Sequence, residues 1–349
     1  MDSQKVIIST QLGSTLEEAI SECEHDMTFI LADKTTAQCC VPLVEQLPCL
    51  QGAKQVVIEA TDTHKDIQSL MHVWQALSEG GATRHTLLIN IGGGMVTDLG
   101  GFAASTFKRG INYINIPTTL LSMVDASVGG KTGINFLGLK NEIGVFNNAK
   151  SVILDTVFLN TLDIENLLSG YAEMLKHGLI ANEQMLGELL TYDIEHPDLS
   201  LLKPMVAASV AVKQRIVTED PTERGLRKAL NLGHTAGHAF ESLALQRRPV
   251  LHGYAVAWGL VVELYLSAIK TGFPSDKLHQ TVRFILDHYG KMNITCDDYP
   301  ILLELMTHDK KNTAGIINFT LLGGVGDIRL DQTATKEEIC EAFDFYREI

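Results

Sequence analysis

The segment Leu232-Gly233-His234-Thr235-Ala236-Gly237-His238 sets two imidazoles four residues apart. A helix brings such a pair onto one face. Neutral imidazole is the commonest side-chain ligand for a metal ion. Thr235 stands where a zinc protease of the HExxH type carries its catalytic Glu, which excludes that chemistry. Two more ligand types sit beside glycines: Glu173, within Gly170-Tyr171-Ala172-Glu173-Met174-Leu175-Lys176-His177-Gly178, and His252, followed by Gly253. By spacing alone, His234 and His238 would both bind the ion.

A second group of residues suits phosphate. Ile91-Gly92-Gly93-Gly94-Met95-Val96-Thr97-Asp98 follows the strand-like run Thr86–Ile91. Glycines at a strand-to-helix turn let backbone N–H groups approach an anion, and the helix N-terminus adds partial positive charge. The ordinary alternative is a tight turn that packs a helix on a strand. The run does not fit GxGxxG with its downstream acid, so an ordinary dinucleotide fingerprint is not supported. Further on, Pro117-Thr118-Thr119, Asp125, Ser127 and Gly129-Gly130-Lys131-Thr132-Gly133 follow within a short stretch. A Walker A loop is excluded because Asp125 stands where GxxxxGKT needs its first glycine. Lys140-Asn141 adds a cation and an amide. Lys213, Arg227 and Lys228 flank Glu223 on the approach to Asn231, and Arg109 precedes Gly110. Surface pairing accounts for Lys228. If the other cations converge, they focus a negatively charged substrate despite the net charge.

These residues need elements to hold them. Val6–Ser9, Thr28–Ala32, Gln55–Glu59, Thr86–Ile91, Tyr113–Ile116 and Val152–Leu154 read as strands. Asp66–Glu79 has helical spacing, with Ile67, Leu70, Met71, Trp74 and Leu77 on one face. Strand and helix in alternation predict a parallel sheet covered by helices. Beyond residues 156–162 the pattern turns helical: Asp163–Ile180, Pro204–Thr218, Lys228–Leu245, Tyr254–Thr271 and Ser275–Tyr289, with strands only at Ile316–Leu322 and Asp327–Leu330. The reading is therefore two domains: 1–157, an α/β domain with a parallel sheet, and 158–349, mainly helical.

The chain has 349 residues, 28 basic against 42 acidic, for a net charge of −14. That balance excludes the broad basic face duplex nucleic acid demands. Apolar residues are 45% of the total, enough for a sizeable core. Apolar runs such as Ala255–Val262 fall short of the ~20 residues that span a bilayer. The start, Asp2-Ser3-Gln4-Lys5, is polar and carries no secretory pattern. Six cysteines form no CxxC pair and are expected as reduced thiols, so a cytoplasmic location is expected.

Taken in order, Gly92-Gly93-Gly94 with Asp98, Arg109-Gly110, Pro117-Thr118-Thr119-Leu120-Leu121, Val124-Asp125, Ser127 through Asn135, Lys140-Asn141, Ala172-Glu173 with Lys176, and Asn231-Leu232-Gly233-His234-Thr235 with Gly237-His238 resemble the 3-dehydroquinate synthase family of sugar phosphate cyclases. The resemblance covers about residues 55–325. It implies conversion of 3-deoxy-D-arabino-heptulosonate 7-phosphate to 3-dehydroquinate and phosphate, a step of the shikimate pathway. The implied sequence is transient oxidation by catalytic NAD, phosphate elimination, re-reduction and intramolecular aldol closure. The implied cofactors are NAD and a divalent metal, zinc or cobalt.

By position, the resemblance makes Glu173, His234 and His252 the metal ligands and turns His238 toward the substrate phosphate. NAD would meet Asp62, Lys65, Gly94, Met95, Val96, Thr97, Asp98, Thr118, Thr119, Lys131, Lys140, Phe158, Leu159, Asn160 and Thr161. The substrate-facing and catalytic set would be Asp125, Lys131, Asn141, Lys176, Lys213, Glu223, Arg227, Asn231, His238 and Lys310. Arg109 would complete the phosphate pocket of a neighbouring subunit in a homodimer. The chain departs from the family at Tyr254, where Glu is usual, and at Thr61-Asp62, where Gly-Glu is usual. The rival readings are another sugar phosphate cyclase, a metal-dependent alcohol dehydrogenase and a silent binding protein. Arg227 and Asn231, suited to a substrate carboxylate, favour the shikimate reaction.

Overall fold

The computed structural model describes residues 4–137, 139–307 and 317–349. Lys310 lies outside the described residues. The chain divides into two compact units: Met1–Asp163 with Leu199–Val210, and Ile164–Asp198 with Ala211–Ile349. The first thus reaches a few residues past 157 and takes in part of a later helix.

Unit 1 runs β1 (Lys5–Ile8), α1 (Leu12–Ser21), β2 (Thr28–Asp33), α2 (Lys34–Cys39), β3 (Lys54–Ile58), α3 (Ile67–Glu79), β4 (Leu87–Gly92), α4 (Gly94–Thr106), β5 (Asn112–Pro117), β6 (Lys131–Phe136), β7 (Leu139–Phe146) and β8 (Ser151–Leu154). The sheet order is β1-β8-β5-β4-β2-β3, and every pairing is parallel. All six residues of β4 are buried, as a central strand covered on both faces requires. In α3 the Asp66 carboxylate accepts from the Ser69 N–H at 2.9 Å and starts the helix. Its buried face is Leu70, Val73 and Leu77, while Ile67 and Met71 are exposed. The expected stripe therefore rotates by part of a turn, because Val73 rather than Met71 meets the sheet. The antiparallel hairpin of β6 and β7 is absent from the sequence reading; β7 is exposed along its whole length.

Unit 2 is built on α5 (Ile164–Ala181), α6 (Glu183–Thr191), the second half of α7 (Leu199–Glu219), α8 (His234–Leu245), α9 (His252–Thr271), α10 (Ser275–Tyr289) and α11 (Tyr299–Thr307). A two-stranded antiparallel sheet, β9 (Asn318–Gly324) and β10 (Asp327–Thr333), and α12 (Lys336–Glu348) complete it. The expected single helix Lys228–Leu245 is two pieces. A 3-10 turn covers Leu226–Asn231, Gly233 adopts φ 78°, and α8 starts only at His234. A left-handed residue cannot continue a helix, and periodicity does not report it. By length and composition α9 could cross a bilayer, contrary to the run-length argument, yet 72% of its apolar stretch is buried inside the unit. It is the central core helix here.

Candidate active site

The potential ligands come from three helices of unit 2. Glu173 lies in the middle of α5, His234 is the first residue of α8, and His252 is the first residue of α9. Very close packing brings the last two together. A Cβ on Gly259 of α9 would collide with the Gly233 carbonyl and the Gly237 N–H of α8, and a Cβ on Gly253 would collide with the Ser169 backbone of α5. Glycine is required at both contacts, which set the distances between the ligand-bearing segments.

Glu173 Oε1 stands 3.3 Å from His234 Nε2 and 3.6 Å from His252 Nε2. Bonds of about 2.0–2.1 Å to a tetrahedral ion put ligand atoms about 3.4 Å apart. Both Glu173 oxygens are fully buried; Oε2 pairs with the Lys176 ammonium, while Oε1, between the two imidazoles, makes no hydrogen bond of proper geometry. A buried carboxylate without such a bond is costly unless a cation takes it. One carboxylate and two imidazoles are a catalytic zinc set that leaves a coordination position for substrate. The geometry and the donor chemistry fit a divalent ion. His238, Glu241 and His252 form a second cluster of ligand atoms. Glu241 reaches the other edge of the shared ring, with Oε2 3.3 Å from His252 Nδ1, which leaves Nε2 for the first cluster.

The electrostatics agree. Burial works against the Glu173 carboxylate, but the Lys176 ammonium one turn away and the His234 ring hold it well below the usual carboxylate range. Burial, with Lys176 adding to it, pushes His234 down to about 4, so its ring is neutral and ready to bind a metal. Burial also disfavours charge on His252, yet Glu173 and Glu241 prevail and lift it to about 10. His238 completes the group, with ring centroids 5.3 Å from His234 and 6.0 Å from His252.

The other sequence-selected residues of unit 2 fall nearby in the chain. Lys176, Lys213 and Arg227 are all buried, which surface pairing does not explain, whereas Lys228 pairs with Asp331 at 2.7 Å on the surface. Asp220 folds the loop before Arg227, accepting from the N–H groups of Arg224, Gly225 and Arg227 at 3.0, 2.7 and 3.0 Å. The Arg227 guanidinium donates to the Pro221 carbonyl at 2.7 Å. Asn231 Nδ2 donates to Glu223 Oε1 at 3.0 Å, and Glu223 is held at φ 60°. Tyr254 turns into an aromatic cluster with Trp258 and Tyr289 and leaves the support of His252 to Glu241.

Unit 1 gathers its own set. Lys65 is buried between Asp62 at 3.3 Å and Asp98 at 3.1 Å, and Lys140 lies 3.5 Å from Asp62. Burial raises Asp98 above the ordinary carboxylate value, against the pull of Lys65. Asn135 donates to the Asp62 carbonyl at 2.9 Å and accepts from the Asn141 N–H at 3.0 Å. The glycine turn sits at the carboxyl end of β4, where Gly92 pairs with Pro117 and Thr118 N–H donates to the Gly92 carbonyl at 3.0 Å. Thr119 lies against Gly93, the N-cap of α4, which has no side chain to cap that helix. Asp125 lies in a single π-turn, Ser122–Ala126, a local distortion common at functional sites. Lys131 opens β6 and is exposed. Gly94, Met95 and Asp98 are half-buried, and Thr97 is buried with its hydroxyl on the Gly94 carbonyl at 3.2 Å. Val96, Phe158 and Leu159 put their side chains into the core, leaving a cofactor only their backbone. Asn160 is exposed, and the Thr161 hydroxyl donates to the Phe158 carbonyl at 2.7 Å. Arg109 is exposed in a turn where Lys108, Arg109 and Gly110 all have positive φ.

Sequence reasoning missed Glu241 and Glu263. Glu241 lies seven residues after His234 on the same helical face, and Glu263 is a lone acid deep in an apolar helix. Those were the available signals.

Residues 55–169 match the family model for the 3-dehydroquinate synthase N-terminal region, and residues 170–312 match that for its C-terminal region. The 3-dehydroquinate synthase of Parabacteroides distasonis is 56% identical over 349 residues, covering 100% of this chain and 99% of that one. That of Pyrococcus furiosus is 37% identical, covering 93% and 94%. The fold is shared with 2-epi-5-epi-valiolone synthase from Streptomyces hygroscopicus, solved with NAD+ and Zn2+ bound, at TM-score 0.88, 24% identity and coverage of 100% and 98%. It is also shared with a 2-deoxy-scyllo-inosose synthase complexed with carbaglucose-6-phosphate, NAD+ and Co2+, at TM-score 0.84, 21% identity and coverage of 98% and 96%. With both halves matched and a relative more than half identical from end to end, the chain belongs to the 3-dehydroquinate synthase family.

Proposed function

We propose that this chain converts 3-deoxy-D-arabino-heptulosonate 7-phosphate to 3-dehydroquinate and inorganic phosphate, using NAD catalytically and a divalent ion, zinc or cobalt. The observation that carries the reading is the Glu173–His234–His252 cluster at tetrahedral ligand spacing, its carboxylate fully buried. Glu173, His234 and His252 hold the ion, which when bound supplies a Lewis acid to the substrate hydroxyls. NAD supplies a reversible hydride acceptor. Lys176 keeps Glu173 ionised, and the neutral His234 keeps a lone pair available.

Unit 1 takes the cofactor. The uncapped start of α4 receives its phosphates, and Lys65 fixes Asp98 in the first turns of that helix. Lys213, Arg227, Asn231 and His238 take the substrate's anionic groups, with Arg227 and Asn231 suited to a carboxylate. Holding phosphate and carboxylate at once orients the leaving group for elimination.

The reading includes a homodimer in which Arg109 serves the neighbouring subunit. The strained turn that carries Arg109 outward supports it, as do the exposed apolar side chains Phe136, Leu139, Ile143, Val145 and Phe146 of the β6–β7 hairpin. Six free thiols suit a reducing, cytoplasmic setting.

The test is to incubate the purified protein with the heptulosonate phosphate, NAD and zinc, and follow phosphate release, dehydroquinate mass and absorbance at the NADH band. Equal phosphate and dehydroquinate with no net NADH is the expected result. Accumulating NADH would instead mark an alcohol dehydrogenase, and turnover that survives chelation would sink the metal reading.

A further inference from the structure

Two buried carboxylates lie outside the ligand set, and each belongs to one of the two helices that supply a histidine. Glu241, on α8, points Oε2 at Nδ1 of His252 on α9, 3.3 Å away. With the Nδ1–H donated to that carboxylate, Nε2 is the nitrogen that faces Glu173. Glu263, on α9, is fully buried and reaches back to α8. Its Oε2 accepts from the Gly233 N–H at 2.6 Å and its Oε1 from the Ala236 N–H at 3.0 Å. Gly233 is the N-cap of α8 and Ala236 is three residues on, and neither has a side chain that can cap. One carboxylate from another helix thus performs both halves of a capping box, directly around His234.

We propose that Glu241 and Glu263 are positioning residues of the metal centre, acting reciprocally: α8 carries the group that orients the ligand of α9, and α9 carries the group that anchors the ligand of α8. Neither residue binds the ion. A carboxylate behind a ligating imidazole fixes its tautomer and ring orientation and raises its basicity. A double cap fixes where the first helical residue, His234, begins. The arrangement also accounts for two acids buried in apolar helices.

The inference rests on the proposed metal centre, and the experiment separates the two. Zinc affinity of the full-length protein is measured by chelator competition for wild type, Glu241→Ala, Glu241→Gln, Glu263→Gln, Glu263→Asp and Glu173→Gln, alongside the visible spectrum of the cobalt form and the melting temperature without metal. Glu241→Ala is expected to weaken zinc by about 10–100-fold and to alter the cobalt bands in a metal-free protein that still folds. Glu241→Gln, which retains an acceptor for Nδ1–H, recovers most of the affinity. A folded Glu263 variant is expected to lose zinc affinity as well as thermal stability.

Wild-type zinc affinity in Glu241→Ala overturns the inference. So does zinc lost in Glu241→Ala but retained in Glu173→Gln, because Glu241 would then be a ligand. Failure of both Glu263 variants to fold, or zinc affinity unchanged in either, reduces Glu263 to a structural cap and overturns its half. A wild-type protein with no stoichiometric zinc sinks the metal reading itself.

Discussion

At the scale of single residues, the decisive ones are those whose surroundings force an ionisation state. Glu173 is charged inside a core because Lys176 and two imidazoles face it. Glu173→Gln removes the charge but keeps the shape, so it is expected to abolish metal-dependent turnover in a protein whose circular dichroism is unchanged. Full activity in that variant would contradict the assignment. The histidines differ in a way that a titration can read. His234, held down to about 4, has no proton to lose near neutrality. His252, lifted from 6.5 to about 10, carries one without metal. A raised value favours the folded metal-free protein below pH 6.5, and that gain disappears as pH climbs through about 10. Zinc entry at pH 8 is therefore expected to expel about one proton. The calorimetric heat should then scale with the ionisation enthalpy of the buffer; identical heats in all buffers would contradict it. His234 and His252 were legible as ligand types, but which nitrogen faces the ion is a matter of packing, and spacing alone pairs His234 with His238.

At the scale of elements, close contact between α8 and α9 carries the argument. Gly259→Ala drives a methyl group into the backbone of α8. The expected cost is about 1–3 kcal/mol, visible as a lower melting temperature, together with weaker zinc binding because the ligand helices are pushed apart. Gly187, in α6 with open space around it, is the control: Gly187→Ala should stabilise by about 0.5–1 kcal/mol. Equal effects at the two positions would refute the packing account. The strands of unit 1 were readable because a covered parallel sheet needs continuous apolar runs, as in Leu87–Ile91. The β6–β7 hairpin was not, because Lys131–Phe146 mixes glycines, amides and charges, and β7 buries nothing. The break at Gly233 is hidden in the sequence for a different reason. Apolar periodicity continues across it, and the cap that makes it tolerable comes from Glu263, thirty residues downstream.

At the scale of the whole molecule, family membership was carried by an ordered series of short motifs rather than by any one of them, while the acids that brace the centre depend on contacts between helices far apart in sequence. The dimer reading makes a prediction here. Arg109→Ala and Glu173→Gln are each expected to be inactive alone, and mixing them under conditions of subunit exchange should restore turnover, since a mixed dimer pairs one intact site with an intact Arg109 from its neighbour. No recovery would place Arg109 outside the partner's site. Ile143→Lys on the exposed hairpin should shift sedimentation toward monomer.

The glycine-to-backbone contact between α8 and α9 has one more consequence. A shift of one residue along a helix moves it about 1.5 Å, whereas a metal bond tolerates about 0.2 Å. Zinc is therefore a gauge of registration: on warming, a metallochromic dye should record ion release before far-ultraviolet dichroism records any loss of helix.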